Sequence, residues 1–179
     1  NAVRVLQDDG VAVTFPQEQS CCGKPAMGMG DRDTGRKLAK KNIEALLASN
    51  PDAIFSACPT CTETLEKTYV EIFEYDPSML SKVKTFASKV REFTSLVAEI
   101  YEKEGRLMPT SAGGQKVTYH DSCHIRRGLG IYKEPRALLE ATPGIDFVEM
   151  KDADHCCGMA GAFGMKYVEI SMPLLEKKV

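Results

Sequence analysis

Two cysteine doublets, each followed by glycine, set the chemistry open to this sequence: Cys21 and Cys22 in "SCCGKPA", and Cys156 and Cys157 in "HCCGMAG". Cys58 and Cys61 form a CxxC in "SACPTC", and Cys123 stands in "YHDSCH". The thiolate, not the thiol, binds iron or zinc. A lone zinc ion takes four ligands at about 2.3 Å in a tetrahedron, and two successive residues seldom both reach it without backbone strain. A cluster of several irons relaxes that constraint, because neighbouring thiolates bind different vertices. An ordinary cubane cluster uses four cysteines. Gly23 and Gly158 suit a crowded position, where a side chain would collide with inorganic sulfide, or a positive φ. An odd total of seven clustered cysteines argues against a disulfide framework. Burial as small apolar residues does not account for two CCG triplets and a CxxC.

Such groups need a scaffold that brings them together. The run at 11–16, "VAVTFP", reads as a strand ending before Cys21. Residues 33–49 read as an amphipathic helix, with Leu38, Ile43, Leu46 and Leu47 on one side and Arg36, Lys37, Lys40 and Lys41 on the other. Asn50, Pro51 and Asp52 end it. A second strand at 53–57 runs into Cys58. Helix is expected over 62–75 and again over 78–104, where Phe93, Leu96, Val97 and Ile100 form an apolar stripe. "PTSAGGQ" at 109–115 reads as a linker. A third strand at 116–120 leads into Cys123, a short helix covers 135–140, a fourth strand at 146–150 leads into Cys156, and a last helix covers 163–178. This alternation predicts an α/β fold with mostly parallel sheets. Each cysteine group then follows the C-terminal end of a strand, the edge where open parallel sheets bind ligands.

The doublets lie 135 positions apart, each between a strand and a helix. One α/β unit used twice explains this, with pseudo-repeated units at 1–112 and 113–179. Overlaying the two gives a composite motif, C-x32-CC-x35-C-x2-C, with five thiolates. The first unit lacks the leading cysteine and the second lacks the CxxC, so the chain reads as cut at both ends of the repeat.

That composite, carried by "TFPQEQSCCGKPA", "SACPTC", "YHDSCH" and "HCCGMAGAFGMKYVEIS", resembles the cysteine-rich CCG domain over nearly the whole chain. This domain occurs in the catalytic subunit of heterodisulfide reductase and in iron–sulfur subunits of lactate-, glycolate- and glycerol-3-phosphate-type dehydrogenases. The first and last stretches look most like the lactate and glycolate types. The resemblance implies an iron–sulfur cluster, [4Fe–4S] and noncubane, with Cys21, Cys22, Cys58 and Cys61 as one site and Cys123, Cys156 and Cys157 as half of another. Zinc on the first four is the alternative. It also implies an electron-transfer subunit or domain of an oxidoreductase. Its partners would be a flavoprotein hydroxyacid dehydrogenase subunit and other iron–sulfur subunits, with a quinone or another carrier as the indirect acceptor. The expected location is cytoplasmic, peripheral to the membrane through partner subunits. Three rival readings are a cluster that itself cleaves a disulfide substrate, a zinc-holding structural module, and a thiol–disulfide oxidoreductase using Cys58 and Cys61. The last leaves both doublets unexplained.

The other residues carry less. His120, His124 and His155 flank the second group. They read as hydrogen-bonding to sulfur or backbone before they read as ligands. Asp121 reads as a turn or helix-cap residue. Arg126 and Arg127 either offset thiolate charge or sit in solvent. Two glycines in "RGLGIYKEP" are a weak phosphate-cradle signal. The eight methionines read as core. No Ser-His-Asp or paired-carboxylate arrangement stands out, so no catalytic residue is assigned. A net charge of −2 with no basic run argues against a nucleic-acid surface, and no apolar stretch is long enough to span a membrane.

Overall fold

The structure, a computed structural model, describes residues 1–110 and 113–178. The chain divides into two units, Asn1–Ile100 and Tyr101–Val179. The expected linker at 109–115 lies partly outside the described residues.

In the first unit, α1 (Ala2–Asp8) is followed by an extended stretch, then α2 (Lys24–Gly28) and α3 (Arg32–Leu47). The Asp31 side chain starts α3 by accepting a hydrogen bond from Thr34 N at 3.0 Å. Gly35, Ala39, Asn42 and Ile43 form its buried face at helical spacing. Asn50, with φ +47°, turns the chain into β1 (Ile54–Ser56). Then come α4 (Pro59–Glu63), a π-helical turn (Thr64–Thr68), α5 (Tyr69–Ile72) and α6 (Pro77–Lys89). Strand β2 (Val90–Glu92) pairs parallel to β1, with Ile54 opposite Val90. Helix α7 (Phe93–Lys103) follows without a loop.

Strand β2 interrupts what the sequence predicts as one helix over 78–104. Val90 and Glu92 are buried while Arg91 between them is exposed, a strand's alternation. The Glu92 carboxylate then accepts from Thr94 N at 2.8 Å and Ser95 N at 3.1 Å, capping the start of α7. The run at 11–16 departs from expectation in the opposite sense. It is extended, but among the described residues its backbone pairs with no strand.

The core of this unit joins α3, β1, the π-helical turn, α5, α6 and β2 through Ile43, Ile54, Leu65, Tyr69, Phe73 and Phe86. Tyr69 stacks on Phe86 with ring centroids 5.9 Å apart. Cys22 lies at the edge of this cluster, 8% exposed. Trimming one methyl from fully buried Ile43, as Ile43→Val, should cost about 1 kcal/mol in denaturant unfolding.

In the second unit, β3 (Gln115–Val117) pairs parallel to β4 (Ile145–Phe147), with Gln115 opposite Ile145. Between them lie a π-helical turn (His124–Gly128) and α8 (Lys133–Glu140). The expected terminal helix is two helices, α9 (Phe163–Lys166) and α10 (Val168–Glu176), because Tyr167 leaves helical geometry at φ −128°, ψ 56°. Helix α10 buries only Ser171. Met159, Met165 and Met172 are exposed, as are Met29 and Met108, which corrects the reading of these five as core, while Met79 packs against it. No helix among the described residues is long and apolar enough to cross a membrane.

Candidate metal centre

The first cysteine group is assembled from two stretches. Gly23, at φ +85°, turns the chain from the doublet into α2, and its N–H donates to Cys21 Sγ at 3.5 Å. Cys58 sits at the start of α4, which carries Cys61 one turn in. Cys58 N donates to Ser56 Oγ at 3.2 Å, and Thr62 Oγ1 donates to Cys58 O at 3.2 Å, so the CxxC is locked to the end of β1.

The four sulfurs follow one another as neighbours: Cys22 lies close enough to Cys61 and to Cys21, and Cys61 to Cys58, for each to perturb the next one's proton affinity. The Cys61 thiol donates to the Cys22 sulfur and draws its pKa down to about 6; burial opposes this, and the Lys24 N–H and the Thr64 hydroxyl add to it. The Cys22 sulfur in return holds the Cys61 proton far above the usual thiol range, with burial acting in the same direction. A Cys22 thiolate is thus present above about pH 6 and is protonated as the pH falls below it. The ultraviolet thiolate absorbance of the reduced, metal-free protein should show this step, and Cys22→Ser should remove it.

This donor set fits an iron–sulfur centre. It offers four soft sulfurs, with the Gly23 N–H, the Lys24 N–H and a hydroxyl directed at them, as hydrogen bonds to cluster sulfurs require. Among the described residues, no three cysteine, histidine or carboxylate side chains are grouped to hold one metal ion.

The second group lies on two loops stitched together at Ala153. Its carbonyl accepts from Asp121 N at 3.1 Å and from Lys178 Nζ at 2.7 Å, and His120 Nδ1 lies 3.1 Å away. This ties the Cys123 loop to the one entering Cys156 and Cys157. Gly158 repeats the geometry of Gly23: φ is +78°, and its N–H donates to Cys156 Sγ at 3.3 Å. Both glycines are also crowded by protein atoms. A Cβ on Gly158 would overlap the Ser171 carbonyl oxygen of α10, and one on Gly23 would lie 3.3 Å from Gly35 Cα of α3.

Asp121 does more than shape a turn. Its side chain has no exposed surface and pairs with Arg126 at 2.9 Å and with Arg136 at 2.9 and 3.0 Å, while Arg136 also binds Glu149. Burial pushes the Asp121 carboxyl up, but the two guanidiniums outweigh it and hold the group below the usual carboxylate range. Arg126 also lies over the Tyr132 ring, and Arg127 donates to Asp154 O at 3.4 Å, so both arginines serve the loops of this unit. His120, bonded to backbone, has the supporting role expected of it.

Sequence reasoning missed Asn42 and Tyr69. Both are buried, and both hydrogen-bond to the backbone of the first doublet. The available signal was an asparagine on the apolar face of α3, between Ala39 and Ile43.

Comparison with known proteins agrees with this arrangement. The profile of the CCG family, described as a cysteine-rich domain, matches residues 1–66 and 117–179. A Bacillus subtilis (strain 168) protein named "Probable glycolate oxidase iron-sulfur subunit" is 35% identical over 178 residues, covering 99% of this chain and 39% of the relative. An uncharacterized iron-sulfur protein of Methanococcus maripaludis is 33% identical, with 99% and 32% covered. The chain thus spans under two fifths of the length of these two relatives. Lactate utilization protein A of Bacillus subtilis (strain 168) is 35% identical over 179 residues, with 99% of this chain and 72% of the relative covered. With its profile matched on both sides of the chain's midpoint, and with the paired CCG geometry, this protein belongs to the CCG cysteine-rich domain family.

Proposed function

We propose that this chain holds an iron–sulfur centre and serves as an electron-transfer subunit or domain of a hydroxyacid oxidoreductase of the lactate or glycolate type. The observation that carries this is the set of neighbouring sulfurs of Cys21, Cys22, Cys58 and Cys61, with the Gly23 N–H directed at Cys21. The similarity to an iron–sulfur subunit of glycolate oxidase and to lactate utilization protein A supports the reaction class. A centre bound at these sulfurs would accept and release single electrons, and the protein would set its potential by burial and by hydrogen bonds to sulfur. Cys22, at the edge of the core, supplies the burial; Gly23, Lys24 and Thr64 supply the hydrogen bonds.

In this reading Cys21, Cys22, Cys58 and Cys61 hold a [4Fe–4S] centre, and Cys123, Cys156 and Cys157 contribute to a second. A flavoprotein dehydrogenase subunit delivers the electrons, and a quinone or another carrier receives them, in the cytoplasm. The test is the protein prepared without oxygen in the complex in which it occurs. Iron and acid-labile sulfide in comparable amounts, with visible absorption bleached when hydroxyacid is added, would support the proposal. A colourless protein with bound zinc, or a centre that hydroxyacid never reduces, would overturn it.

A further inference from the structure

Asn42 and Tyr69 form a buried hydrogen-bonded pair that meets the backbone of residues 20–22 and the Ser20 hydroxyl. Asn42 Oδ1 accepts from Ser20 N at 2.7 Å and from Ser20 Oγ at 3.2 Å. Its Nδ2 donates to Cys21 O at 3.0 Å and to Tyr69 Oη at 3.0 Å. The Tyr69 hydroxyl then donates to Cys22 O at 3.0 Å. The full donor and acceptor capacity of the asparagine amide is used, at a residue 2% exposed. The pair is itself held rigidly. Asn42 lies within α3, and Tyr69, on α5, is fully buried against Phe86.

Neither side chain is hydrogen-bonded to a sulfur. What they fix is the backbone: the amide of residue 20 and the carbonyls of residues 21 and 22. Fixing these sets the direction in which both sulfurs leave the chain. The second doublet is secured differently. There Ser171 Oγ donates to Gly158 O at 3.0 Å. The two CCG triplets share a local turn, and in the first the cysteine peptides are clamped from the core by Asn42 and Tyr69.

We propose that Asn42 and Tyr69 are positioning residues that preset the Cys21 and Cys22 sulfurs for a metal centre before the metal arrives, an inference resting on the reading of the sulfur row as such a centre. Preorganisation of this kind places the ordering cost in folding rather than in binding.

The test uses Tyr69→Phe, which keeps the ring and removes the bond to Cys22 O, and Asn42→Asp, which keeps the acceptor for Ser20 and loses both donors. Val83→Ala, at a fully buried position of α6, serves as a control that weakens the same core and leaves every clamp bond in place. In the reduced, metal-free proteins, alkylation of buried Cys22 relative to Cys123 is expected to rise about tenfold in the two clamp variants, the factor that losing one hydrogen bond implies. Exchange at the Gly23 amide should rise with it, and Val83→Ala should change neither. After anaerobic reconstitution, the electron paramagnetic resonance signal of the first centre should broaden or shift in the clamp variants alone. An unchanged Cys22 to Cys123 ratio in Tyr69→Phe and Asn42→Asp, or an equal rise in Val83→Ala, would overturn the proposal. A wild-type chain that takes up no iron would remove the reading of the centre, while the alkylation and exchange results would still decide the clamp.

Discussion

Cys22→Ser is expected to strip the first site of iron and acid-labile sulfide, while Cys123→Ser leaves that site loaded. Cys22 sits in the interior of the sulfur row, with Cys21 and Cys61 as its neighbours. Removing it divides the row, whereas removing an end member shortens it. Its neighbours also draw the Cys22 pKa down, which favours the thiolate that iron binds. Serine preserves volume but supplies a poor ligand for iron under these conditions. Metal analysis of anaerobically reconstituted protein, read beside the visible spectrum, checks this. A Cys22→Ser protein retaining the wild-type iron complement at the first site would contradict it.

Gly158→Ala should be strongly destabilising. The residue combines a φ of +78° with a backbone oxygen, that of Ser171, where the new Cβ would go. Backbone strain at positive φ costs on the order of 1 kcal/mol for alanine, and displacing α10 adds to it. We expect a total of about 3 kcal/mol, at the upper end of ordinary point substitutions. Calorimetry should show the transition of the second unit lowered by roughly 10 °C or more. Gly23→Ala meets nothing nearer than Gly35 Cα at 3.3 Å and should cost less, about 1–2 kcal/mol. Equal losses at the two glycines would show that the torsion alone, and not the neighbouring helix, decides the penalty.

Much of this architecture was legible in the chain. The helix expected over 33–49 from its periodicity is found at Arg32–Leu47, where Asp31 caps it. The strands at Ile54–Ser56, Gln115–Val117 and Ile145–Phe147 fall inside or beside apolar runs. The grouping of Cys21, Cys22, Cys58 and Cys61 as one site came from the resemblance to the CCG domain. What could not be read depended on partners distant in sequence. Strand β2 hid within a helical pattern because its identity rests on pairing with β1 and on Glu92 ending it, neither visible over a short window. The run at 11–16 has a strand's composition, yet a strand exists only through a neighbour. Asp121 looked like a turn residue because Arg136, fifteen positions on, gives it its role.

The π-helical turn at Thr64–Thr68 lies between the CxxC and Tyr69. Such a turn accommodates one residue more than α-helical winding. Wound as α-helix over the same residues, the segment would swing everything downstream by about 100° around the axis. Tyr69 would then aim its hydroxyl away from the doublet, while Cys61, upstream, stayed where it was. The wide turn, by absorbing one amino acid, thus keeps Cys61 and Tyr69 in phase with each other.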